Sequence, residues 1–64
     1  MAWIKLTLDV SGSPVCVNIN NVQMFKDVGG KTKIIFPEYE IIVSESFDDV
    51  YRIIRWKMHE DNQT

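Results

Sequence analysis

The sequence is short of several residue types, and each shortage excludes a class of protein. Its 64 residues include one cysteine, Cys16, and one histidine, His59. One chain therefore cannot build a disulfide framework or a structural zinc site of four Cys and His ligands. No apolar run approaches the ~20 residues that a membrane-spanning helix needs. Seven basic residues against nine acidic ones leave a net charge of −2, whereas nucleic-acid-binding domains are typically strongly basic.

Signals for export are also missing. The N-terminal residues Met1 to Lys5 lack the basic stretch and the apolar core of about 7–15 residues that mark a secretory signal. A single cysteine is typical of a reducing compartment. We therefore expect a cytoplasmic protein that does not insert into a membrane.

Hydrophobic periodicity predicts the secondary structure. Alternating apolar and polar residues, separated by turn-forming residues, predict five strands at about 2–10, 14–19, 22–28, 32–36 and 39–43. The period then changes, which predicts a helix over about 47–59 with Ser46 as its N-cap. The apolar stripe of that helix is Phe47, Val50, Tyr51, Ile54 and Met58.

These elements predict one small α+β domain over residues 1–64. We expect a twisted, antiparallel, meander-like sheet of five strands with one C-terminal helix. Alternation looks the same in a flat sheet and in a curled one. The sequence therefore leaves open whether the sheet is open or curls into a half-barrel.

The predicted elements carry more apolar surface than one helix can cover. A helix is about 10 Å across, whereas five strands span roughly 20 Å. The surplus residues are Trp3, Phe25, Ile35 and Ile42 on the sheet, and Ile53 and Trp56 on the outer side of the helix. A curled sheet or scattered surface positions would account for some of them. As a set they favour an interface centred on Trp56, because tryptophan is enriched at interface hot spots.

No group of residues has the spacing of a catalytic, cofactor or metal site. His59 has no nucleophile near it in the pattern, and Cys16 lies between two valines without a second cysteine. Gly29-Gly30 precedes a strand rather than the helix of a phosphate-binding loop. We therefore predict that the chain is not an enzyme and holds no cofactor or metal.

One basic and aromatic cluster is also compatible with nucleic-acid binding. Arg52, Arg55 and Lys57 surround Trp56 on the predicted helix, and Lys31 and Lys33 lie near the tip of a hairpin. Such residues contact phosphates and stack on bases. The leading prediction is a protein that associates with itself or with another protein, and a small nucleic-acid-binding regulator is the alternative.

Several short stretches resemble the small FlbD-type flagellar proteins and similar short bacterial and prophage proteins. They are Ile4-Lys5-Leu6-Thr7, Val17-Asn18 leading to Asn20-Asn21-Val22, Thr32 to Ile35, and the run from Val43 to Val50. The resemblance implies a strand-rich domain of bacterial or phage origin with a terminal helix and no catalytic signature. Where those proteins carry Asn-Gly-Lys, this sequence has Phe36-Pro37-Glu38-Tyr39.

Overall fold

Five strands and one C-terminal helix follow each other along the chain in the computed structural model. It describes residues 2–61, with side chains up to residue 59. The strands are β1 (Trp3–Thr7), β2 (Pro14–Asn18), β3 (Met24–Val28), β4 (Lys31–Ile35) and β5 (Glu40–Val43), a 3-10 turn spans Ile19–Asn21, and the helix α1 is Phe47–Asp61. The α+β class and the order of elements are confirmed.

The strands form two sheets, so the prediction of a single five-stranded sheet is wrong. β1 and β2 make an antiparallel hairpin, and β3, β4 and β5 make a separate antiparallel sheet. The 3-10 turn explains the break. Asn18 Oδ1 accepts the Asn20 N–H at 3.0 Å, and the Val22 N–H bonds back to the Ile19 carbonyl at 3.3 Å. The chain therefore bends before β3 begins, and β3 does not pair with β2. The sheets do not close into a barrel.

The two sheets meet at one bridge, between Leu8 and Val43. On either side of it, the Ser44 N–H donates to the Thr7 carbonyl at 2.9 Å and the Asp9 N–H donates to the Ile42 carbonyl at 3.0 Å. The end of β1 is thereby attached to the end of β5, although the two strands belong to separate sheets.

The side chain of Asp9 reinforces that bridge. Its Oδ2 contacts Lys31 Nζ at 2.8 Å, and its Oδ1 accepts the Ser44 hydroxyl at 3.3 Å. The hydrogen bond from Lys31, with the charge of its ammonium group, holds the pKa of the Asp9 carboxyl below its ordinary value. The turn after β1 is therefore attached to both β4 and the segment after β5.

The core lies between the two sheets and the first half of the helix. Its most deeply buried apolar side chains are Leu6, Ile34, Val43 and Val50, and Val50 is the helix's contribution to this set. Ile4, Val17 and Phe36 complete the buried cluster. A short amphipathic helix is stabilised chiefly by such packing rather than by its intrinsic propensity.

Glu45 and Ser46 connect β5 to the helix. The carboxylate of Glu45 accepts the Thr7 N–H at 3.0 Å, and its carbonyl accepts the hydroxyl of the fully buried Thr32 at 2.8 Å. Ser46 Oγ accepts the Asp49 N–H at 3.2 Å, so the predicted N-cap is confirmed. These bonds fix where the helix leaves the sheets.

We expect Val50→Ala to lower the free energy of unfolding by about 2 kcal/mol, because it removes two methyl groups from a closed part of the core. Val10→Ala is the matched control. It makes the same chemical change at a turn residue that is 96% exposed, and it should change stability by less than about 0.5 kcal/mol. Urea unfolding followed by circular dichroism measures both. Equal effects would contradict the assignment of Val50 to the core.

We expect the stability difference between the wild type and Asp9→Asn to depend on pH. A carboxyl whose pKa is lower in the folded state stabilises the fold above its unfolded pKa of about 3.9 and loses that effect as the pH falls through the folded value. The wild type should therefore be the more stable protein near neutral pH, and the two should converge in strong acid. Urea midpoints across the acid range test this, and a difference independent of pH would contradict it.

Candidate interaction surface

Trp56 is the most exposed aromatic side chain in the part of the chain that the structure describes. It is 68% exposed and lies about 120° around the helix from the buried Val50, at 100° per residue. The surface around its ring is formed by Arg52, Ile53, Arg55 and His59. We call these five residues the Trp56 surface.

Two of the residues predicted to be surplus face the core instead. Ile53 is half-buried and packs against the core cluster, because it lies only about 60° around the helix from Val50. Phe25 also packs against that cluster, and its ring centroid is 5.1 Å from that of Phe47. Phe25 and Ile53 are therefore partly buried against the core, and their part in an interface stays a prediction.

The hairpin register explains the inward packing of Phe25. Gly29 and Gly30 both have positive φ, 67° and 90°, and they form the two-residue turn that glycine favours. That turn pairs Phe25 with the buried Ile34. Cross-strand partners lie on the same face of a sheet, so Phe25 faces inward and Met24, which is 54% exposed, faces outward.

The other predicted residues lie on separate elements. Trp3 is 49% exposed on β1, in the two-stranded sheet, and Ile42 is 37% exposed on β5, in the three-stranded sheet. Ile35 on β4 is half-buried opposite Met24. The six predicted residues therefore do not share one face, and Trp56 is the most exposed of them.

An apolar groove between α1 and the start of β3 was missed in the sequence. It has a volume of about 370 Å³. Met24 and Met58 are each about half exposed there, and Ile19, Val22, Phe25 and Ile54 form the rest of its apolar lining. Helical periodicity assigned Met58 to the core-facing stripe. Met58 lies in a part of α1 that extends past the buried core. Periodicity shows which helix residues share a face, but it does not show where along the helix that face stops being covered.

The basic residues of the nucleic-acid alternative have local partners. Lys31 contacts Asp9 at 2.8 Å, and Lys33 contacts Glu40 at 3.0 Å. Arg52 lies 3.5 Å from Asp49. The guanidinium of Arg55 lies 5.7 Å from the centroid of the Tyr51 ring, and its Nη1 donates to the Tyr51 hydroxyl at 3.3 Å. Lys57 is half-buried on the helix. These contacts leave less uncompensated positive charge than the sequence suggested.

Within residues 2–61, no three His, Cys, Asp or Glu side chains are grouped so that they could hold a metal ion. No helix of that region is both long and apolar enough to cross a membrane. The thiol of Cys16 is unpaired and exposed on β2.

In comparisons with known proteins, no family model, no curated protein and no solved structure matches this chain. The resemblance to FlbD-type proteins therefore stays a prediction.

Proposed function

We propose that this chain is a non-catalytic protein-interaction module of the cytoplasm that associates with a second copy of itself through the Trp56 surface. The observation that carries the proposal is the exposure of Trp56, which is 68% accessible on a helix whose opposite face is buried. A large aromatic ring beside arginine side chains has the composition of an interface hot spot.

The small size of the domain supports association. A chain of 64 residues buries only about 60% of the surface that its unfolded form exposes. Among the described residues, eight apolar side chains are buried. The single cysteine allows no disulfide within the chain. Burial of further apolar surface against a second chain is a common way to stabilise so small a domain.

The dipole of α1 favours an antiparallel arrangement of two copies. Asp48 and Asp49 occupy the first turn of the helix, whereas Arg52 and Arg55 follow on its exposed side. Antiparallel helices align opposite dipole ends, and a two-fold axis at the Trp56 surface brings the two Trp56 rings together.

We expect the wild type at low micromolar concentration to show a solution mass of twice 7.5 kDa, and Trp56→Ala to show the monomer mass. Loss of a central tryptophan typically costs at least about 2 kcal/mol of binding, or roughly thirtyfold in Kd. Light scattering coupled to size-exclusion chromatography measures both chains, at two salt concentrations.

Two variants serve as controls. Val10→Ala removes apolar surface from a fully exposed turn, and Met58→Ala removes it from the groove beside β3; both should keep the wild-type mass. A wild type that is monomeric in low salt and in high salt would overturn the proposal. If Trp56→Ala and Met58→Ala lost the dimer mass equally, the interface would include the groove and would not be confined to the Trp56 surface.

A further inference from the structure

The outer edge of β2 presents backbone groups that no strand of residues 2–61 pairs with. β2 is the last strand of the two-stranded sheet, and β1 is its neighbour on the inner side. α1 packs chiefly on β1, β3 and β4. Pro14 and Cys16 are exposed along this edge.

Two hydrogen bonds show which residues of β2 point their backbone groups outward. The Ile19 N–H donates to the Ala2 carbonyl at 2.8 Å, and the Leu8 N–H donates to the Ser13 carbonyl at 2.9 Å. Both pairs lie in the register of the β1–β2 ladder. Hydrogen-bonded and non-hydrogen-bonded pairs alternate along an antiparallel ladder, so Cys16 belongs to a non-hydrogen-bonded pair.

The same alternation holds on the opposite edge of β1. The N–H and the carbonyl of Thr7 point away from β2, where they bond with Glu45 and Ser44. Thr7 pairs with Pro14, and the next pair of the same kind is Lys5 with Cys16. The N–H and carbonyl of Cys16 therefore point to the open edge of β2, as does the N–H of Asn18.

We propose that β2 also pairs, antiparallel, with β2 of a second copy, with Cys16 opposite Cys16. In this register each Cys16 N–H donates to the Cys16 carbonyl of the other copy, and each Asn18 N–H donates to the Pro14 carbonyl of the other copy. Both outward donors of the strand find acceptors. Pro14 has no N–H, so the register leaves no donor without an acceptor at that end.

Charge distinguishes β2 from the other open edge. β2 contains no charged residue, whereas β3 carries Lys26 and Asp27. Soluble proteins commonly protect edge strands with charged side chains, and β2 lacks that protection. Its pairing with a second β2 places no like charges opposite each other. The occupant is a second copy because β2 has no charged residue that would oppose itself, and the two-fold register about Cys16 gives both outward donors an acceptor.

This contact does not use Trp56. It consists of backbone bonds that each contribute about 0.5–1.5 kcal/mol net, so it is weaker than the contact at the Trp56 surface and forms at higher protein concentration. Two different two-fold contacts on one chain join dimers into larger assemblies. The wild type should therefore exceed the dimer mass as its concentration rises.

Charge substitutions at Cys16 test the register in solution. The side chain of Cys16 is exposed, and its backbone N–H is not used within the chain, so Cys16→Lys and Cys16→Glu should fold. In the Trp56→Ala background at high concentration, each should associate about fivefold more weakly than the parent, because like charges face each other across the two-fold axis. An equimolar mixture should recover the parent affinity. Sedimentation velocity measures all four samples.

Cross-linking through the native thiol gives an independent measurement. Directly opposed residues of a hydrogen-bonded pair have Cα atoms about 5.5 Å apart, which lies within the range of Cα separations that disulfides span. Diamide takes up the two electrons and two protons that the thiols lose, and it should convert the Trp56→Ala chain into a disulfide dimer. The control replaces Cys16 with Ser and carries Val10→Cys. Position 10 is 96% exposed but lies off the edge, so its thiol should cross-link several-fold more slowly.

The outcomes separate this proposal from the one for Trp56. A Lys and Glu mixture that stays as dissociated as its components would overturn the edge pairing, and so would equal cross-linking rates at positions 10 and 16. A wild type that is monomeric at low concentration but cross-links at Cys16 would overturn the Trp56 dimer and leave the edge pairing standing.

Discussion

The attachment of β1 to β5 is the constraint on which the rest of the molecule depends. Around the bridge between Leu8 and Val43, backbone bonds join the end of the first hairpin to the end of the three-stranded sheet. Leu6 and Val43, next to or within this contact, are almost completely buried. Because β2 and β3 do not pair, the two sheets would have no other backbone ladder to hold them at a fixed angle over a common core.

The same region sets the position of the helix. Glu45 bonds to Thr7 of one sheet and to Thr32 of the other, and α1 begins two residues later. A helix that starts at this point covers the core with its first turns, where Val50 is fully buried. Its later turns extend past the deepest part of the core, and Trp56 and Met58 are exposed there. The candidate interaction surface is thus a consequence of where the helix is anchored and of how small the two sheets are.

The two proposed contacts use different physics. At the Trp56 surface the driving force is burial of an aromatic ring, with the helix dipoles favouring an antiparallel arrangement. At β2 it is the pairing of backbone groups, which depends on the ladder phase and hardly on side-chain identity. Both contacts follow from incomplete burial within one chain. The later turns of the helix extend past the buried core, and the 3-10 turn at Ile19–Asn21 leaves β2 without a second neighbour.

The sequence by itself determined what depends on neighbouring residues. The alternation of Trp3 to Thr7, the Gly29-Gly30 turn, the Ser46 cap and the helical period after Phe47 are local signals, and the structure contains each corresponding element. Only the tertiary structure decided the division into two sheets, the inward direction of Phe25 and Ile53, and the exposure of Met24 and Met58. A period of two shows that a strand has two faces without showing which one meets the core. That choice depends on strand register and on where β5 meets β1, and both are set by contacts between residues far apart in the chain.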